Sequence, residues 1–147
     1  MSSAIIDNPA AGAAQTDGPA ADIDPAAPPP AIADAASAAP PLSLARARRA
    51  FAARRRRHKV FGDRADIFGE PAWDMLLDLY IALHEGKHVT VSNACASSGA
   101  ATTTGLRWVA TLAERGLVER IPDPNDGRRF FVQLTADAAA LVEASLD

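Results

Sequence analysis

Apolar residues recur along the second half of the chain with spacings that alternate between helix and strand. Trp73, Leu76, Leu77, Tyr80 and Leu83 fall on one face of a helix. Pro71 suits its first turn, Glu70 and Asp74 its positive end, and Gly86 its stop. Thr90 predicts the cap of a short second helix over about Val91–Ser97 that buries Ala94 and Cys95. Ser98-Gly99 predicts a tight turn. A third helix follows over about Ala101–Arg115, with Gly105, Trp108, Val109 and Leu112 pointing inward and Gly116 at its end. Leu117–Ile121 and Arg129–Leu134 read as strands joined by the turn-forming run PDPNDG. Thr135 predicts the cap of a last helix containing Ala138, Leu141 and Val142.

Helix, short helix, turn, helix and hairpin in that order predict a mainly α fold with a small β-hairpin wing. This α+β arrangement is a winged helix-turn-helix, expected over residues 61–147. In such modules the third helix enters the major groove of duplex DNA and the hairpin lies beside the backbone.

Composition divides the rest of the chain. Residues 1–41 hold eight of the eleven prolines and five aspartates (Asp7, Asp17, Asp22, Asp24, Asp34), with no basic or aromatic residue. Such a segment has too little apolar surface to offset the entropy of ordering, so it reads as a disordered acidic tail. Residues 42–60 reverse the charge, with eight basic residues and no acid. Ser43 can cap a helix here, and Ala and Arg are good helix formers. The arginines exceed any nearby acids, which predicts an Arg-rich helix or arm for phosphate, centred on Arg54, Arg55, Arg56 and Arg57. Residues 61–147 then carry thirteen acidic and seven basic residues, so the net charge of −3 describes no single segment.

Several classes are excluded. At 147 residues the chain allows one modest domain and no large catalytic core. No apolar run approaches the roughly 20 residues of a membrane span, and no secretory signal is visible. A single cysteine, Cys95, fits a reducing cytoplasm, and a nucleoid-associated protein is expected there.

The stretch TLAERGLVERIPDPNDGRRFFVQLT, residues 111–135, resembles the end of the recognition helix and the wing of MarR-family regulators. Leu112, Gly116, Leu117, Val118, Arg120, Pro124, Asp126, Arg128, Leu134 and Thr135 fill the family pattern. The likeness extends over about residues 60–140, including the Thr-rich third helix. It implies a non-enzymatic transcriptional regulator that binds double-stranded DNA as a homodimer. It also implies that Asp126 orients Arg128 toward the minor groove, whose A·T-rich narrowing attracts arginine. Arg129, on the other face of the strand, is expected at a phosphate.

On the third helix, Thr102, Thr103 and Thr104 occupy the first turn, where helix N-termini meet bases and phosphates. Arg107 can bond guanine bidentately, and Leu106 can meet a thymine methyl. His84-Glu85-Gly86-Lys87-His88 matches the zinc-protease spacing literally, but Gly86 should end the helix that spacing requires. No metal, cofactor or small-molecule effector is indicated, and Cys95 reads as a small core residue. The acid surplus of residues 61–147 favours a rival reading, a winged helix that binds protein without sequence-specific DNA contact.

Overall fold

The computed structural model describes residues 39–147. The tail expected over residues 1–41 lies outside the described residues except for Ala39–Pro41. Helix α1 (Leu42–Phe61) runs into a 3-10 helix (Gly62–Phe68) and then α2 (Pro71–His84). Strand β1 (Val89–Thr90), α3 (Val91–Ser97), α4 (Thr102–Glu114), β2 (Val118–Asp123), β3 (Asp126–Leu134) and α5 (Ala136–Leu146) complete the order. The three strands form one antiparallel sheet in the order β1-β3-β2.

Local chemistry sets most boundaries. Pro71 opens α2, and Gly86 at φ 64° lies just past its end, in the left-handed region that favours glycine. Thr90 and Thr135 cap α3 and α5, their hydroxyls accepting from the Asn93 and Ala138 N–H groups at 3.2 Å. Pro122 lies on the edge strand β2 where the register shifts, a place that tolerates its missing N–H.

Four expectations need correction. Ser43 caps nothing: α1 begins after Pro41, and the buried Ser43 hydroxyl lies 2.8 Å from the Tyr80 hydroxyl. The basic segment is therefore continuous with the globular part, because Leu44 and Ala47 of α1 are buried against it. With α1 covering a second side, α2 buries Met75, Leu79 and Ala82, while Trp73, Leu76 and Leu83 are only half-buried. Val89 and Thr90, marked as no strand by the sequence pattern, pair with Val132 and Phe131 as β1, too short a strand to show periodicity. The wing is also longer than expected, its strands running from Val118 to Asp123 and from Asp126 to Leu134.

The core joins Met75, Leu77 and Tyr80 of α2 to Ala94, Cys95, Val109, Leu112, Val132, Leu134 and Val142. Helices α3 and α4 approach closely at Gly105. A Cβ there would meet the Cys95 Cβ at 2.8 Å and its Cα at 3.0 Å. Glycine inside a helix ordinarily costs about 1 kcal/mol relative to alanine, so Gly105→Ala should stabilise an isolated α4. In the folded protein we expect net destabilisation, as overpacking costs typically about 1–3 kcal/mol and the opposing atoms include backbone. Denaturant unfolding checks this; an unchanged or raised midpoint would show that α3 and α4 can separate without penalty.

Candidate nucleic-acid interface

The outer face of α4 is built from residues that pack on nothing. Thr102, Thr103, Arg107 and Ala110 are exposed, Thr104 is half-buried, and Leu106 is 48% exposed beside them. The opposite face carries Gly105, Val109 and Leu112 into the core, so the helical period alone separates the two. No side chain caps the start of α4, leaving first-turn N–H groups directed outward.

The wing divides its arginines. Asp126 accepts from the Arg128 backbone N–H at 3.0 Å, so it acts on the turn that carries Arg128 and makes no ion pair with its guanidinium. The exposed Arg128 side chain has no acidic partner among the described residues. Arg129, expected at a phosphate, instead meets the buried Asp123 at 2.5 Å. Asp123 also accepts from the Asn125 N–H at 2.8 Å, which closes the loop between the strands. Sequence reasoning takes Asp123 only as a turn former; an aspartate two residues before Asn125 is the pattern of a side-chain turn. Between the wing and α3, Thr90, Ser92, Asn93, Arg128 and Phe130 line an open cleft of about 440 Å³.

Helix α1 brings its basic end to the same region. Arg55 Nη1 lies 3.5 Å from the Ala96 carbonyl oxygen of α3. The His58 ring lies 3.3 Å from where a Cβ on Gly99 would stand. The end of α1 thus lies against the end of α3 and the turn that follows it.

Of the four arginines Arg54–Arg57, the structure separates one. Arg54 turns inward, its side chain only 11% exposed, and pairs with the buried Asp74 and with Glu70. It cannot serve as a phosphate contact in this fold. Arg55, Arg56 and Arg57 form no ion pair within 4.0 Å among the described residues, although Arg55 is near enough to Asp78 to favour its charged form, and two stack on rings, Arg55 over Phe51 and Arg57 over Phe68.

Five of the thirteen acids of residues 61–147 are paired within the fold. Glu70, Asp74, Glu85, Asp123 and Asp147 all sit in ion pairs. Glu85 of the histidine motif bonds Lys87 and Arg48, which hold its carboxyl below the usual range. His84 packs edge-on against Tyr80, and burial lowers its imidazole pKa. His88 lies beyond the end of α2, against Phe131, so the two histidines share no helix face. Cys95 is buried, and burial pushes its thiol up. No described helix is long and apolar enough to cross a membrane.

Residues 76–138 match a family model described as a winged helix DNA-binding domain. A crystal structure of a mutant MarR from E. coli aligns with a TM-score of 0.45 at 21% identity, covering 73% of this chain and 74% of that one. No curated protein is significantly similar in sequence.

The Asp123 carboxyl is held below the usual carboxylate range, first by the Asn125 N–H and also by the Arg129 guanidinium. A carboxylate whose folded pKa is depressed stabilises the fold fully above its unfolded pKa. That contribution disappears as pH falls through the folded value. The wing amides Asn125–Arg129 should therefore shift together in acid, below the ordinary carboxylate range, and Asp123→Asn should abolish that step. An NMR pH titration checks both; wing amides that ignore acid in the parent protein would rule out Asp123 as the anchor.

Proposed function

We propose, from the match of residues 76–138 to a winged helix DNA-binding family model, that the chain is a MarR-type transcriptional regulator reading specific sequences in duplex DNA. The observation that carries the reading is the set of uncommitted cations around the exposed face of α4. Arg107 stands on that face, Arg128 on the wing, Arg55 against the end of α3, and Arg56 and Arg57 beside it on α1, none in an ion pair within 4.0 Å among the described residues.

In this reading Thr102–Thr104, Leu106 and Arg107 meet base edges in the major groove. Arg128 enters the minor groove, where a narrow A·T tract concentrates negative potential. Arg55–Arg57 contact phosphates, which adds affinity without sequence preference. Asp126 and Arg129 act on the wing itself, by holding its turn. A homodimer built on α1 and α5 accompanies the reading, since Leu42 and Leu141 on those helices are 79% and 59% exposed. The protein-interaction alternative draws on the acid surplus, of which internal ion pairs engage five carboxylates.

Two variants should behave differently in salt titrations. Changing Arg55, Arg56 and Arg57 to alanine should weaken binding to every duplex by a similar factor. The log–log salt slope should fall by about 0.9 for each phosphate that the variant no longer neutralises. Arg107→Ala should cost on the order of 1–3 kcal/mol on a preferred site and relax preference at one base pair, with little change in slope. A triple variant that keeps the parent's slope would overturn the arm.

Arg54→Ala tests a separate point. It should lower thermal stability, because it leaves the buried Asp74 uncompensated, a change typically costing about 3–5 kcal/mol. Thermal unfolding reads this directly; an unchanged midpoint would mean that the pair does not hold α1 in place.

A further inference from the structure

The outer face of α1 carries positive charge that the described residues do not neutralise. Arg49, Arg55, Arg56, Arg57 and Lys59, with Arg64 just beyond, have no carboxylate within 4.0 Å among those residues. Arg49 and Arg56, seven residues apart, share the side of the helix opposite the buried Ala47. At the end of this face Val60 and Ile67 are 72% and 78% exposed.

The complementary chemistry lies in the same chain. Residues 1–38 hold five aspartates and no basic residue, and their isoleucines sit beside the acids, as in Ile6-Asp7, Asp22-Ile23-Asp24 and Ile32-Ala33-Asp34. We propose that this acidic N-terminal segment docks on the Arg49–Lys59 face of α1 in its own chain and competes there with DNA. The docking stands on charge and reach alone; the competition also rests on the reading of α1 as a phosphate-binding arm.

Reach is sufficient. From Leu42 to Arg56 the helix rises about 21 Å at roughly 1.5 Å per residue. The eight residues from Asp34 to Leu42 span at most about 28 Å when extended, and Asp24 and Asp22 have ten or more further residues of slack. An exposed ion pair is individually weak. Tethering offsets this weakness, since a short linker holds the acids at an effective concentration on the order of millimolar. Duplex DNA displaces the segment because it presents a denser row of charges, about one per 1.7 Å of axis. The segment therefore penalises weak, non-specific DNA contact more than binding that α4 and the wing also support.

The test uses the full chain with Asp7, Asp17, Asp22, Asp24 and Asp34 all changed to asparagine. Without DNA, at low salt, amide and arginine Nε–H signals of residues 49–64 should differ between parent and variant. The difference should vanish near 1 M salt, where screening acts within about 3 Å, and should not change on dilution. Identical α1 spectra would overturn the docking whatever DNA binding does, and this readout separates docking from a mere change in net charge. Shifts that fade on dilution would place the segment on a second copy and overturn the intramolecular claim. With random duplex DNA at low salt, the variant should bind about tenfold more tightly and with a steeper salt slope. Shifted spectra with unchanged affinity would overturn the competition. The Arg55–Arg57 alanine variant then tells whether the arm reading fails with it.

Discussion

A guanidinium held between two carboxylates governs the placement of everything basic in this protein. Arg54 pairs with Asp74, which is 2% exposed on α2, and with Glu70 just before that helix. Ser43 and Tyr80 meet at the other end of α1, so two polar contacts fix its rotation as well as its position. Once Arg54 points inward, the 100° step of the helix drives Arg55 and Arg56 toward solvent, while Arg57 comes back around to lie half-buried over Phe68. Buried ion pairs add little net stability, because desolvation offsets their attraction. Arg54 Nη2, buried without a partner among the described residues, adds to that cost. The clamp is better understood as setting geometry: it makes one helix serve as both core and cationic surface.

The same division between fastening and free arginines recurs in the wing. Arg128 and Arg129 are adjacent in sequence, yet strand alternation sends one to solvent and the other to Asp123. The turn that presents Arg128 is therefore stiffened by its neighbour's ion pair and by the Asn125 and Arg128 N–H bonds to aspartates. On α4 the constraint is steric. The absence of a Cβ at Gly105 lets α3 and α4 close on each other, which sets how far Thr102 and Arg107 stand from the domain surface.

What is legible in the sequence is local. Thr90, Thr135, Gly86, Gly116 and Pro71 act through their own backbone or the next turn, so their roles can be read without knowing any partner. The inward and outward faces of α4 are equally plain, because its buried Gly105, Val109 and Leu112 share one face. The packing of α1 is not, since its buried Leu44 and Ala47 are few and scattered among arginines, and the helices α1 packs on, α2 and α5, lie far along the chain. The amphipathic pattern of α2 misleads for the same reason: a helix covered on two sides has no single apolar stripe. Asp123, Arg129 and Arg54 escape a sequence reading because charge type alone does not reveal which cation faces which anion. That information exists only once register and rotation are known.

These placements couple folding to polyanion binding. Along α1, Arg55 and Lys59 are four residues apart with no carboxylate partner among the described residues, and Arg56 and Arg57 stand beside them. Like charges at such spacing destabilise a helix by a few tenths of a kcal/mol per pair. The fold tolerates this repulsion because Leu44, Ala47, Ser43 and Arg54 bind the other side of α1 to α2. Any polyanion on the outer face relieves the repulsion and binds only when α1 is helical and docked, so it must also stabilise the domain. The charge that makes α1 a poor isolated helix is, by the same linkage, what makes the docked helix responsive to a ligand. A neutral α1 would hold the core more firmly and would have no means of coupling that firmness to a polyanion.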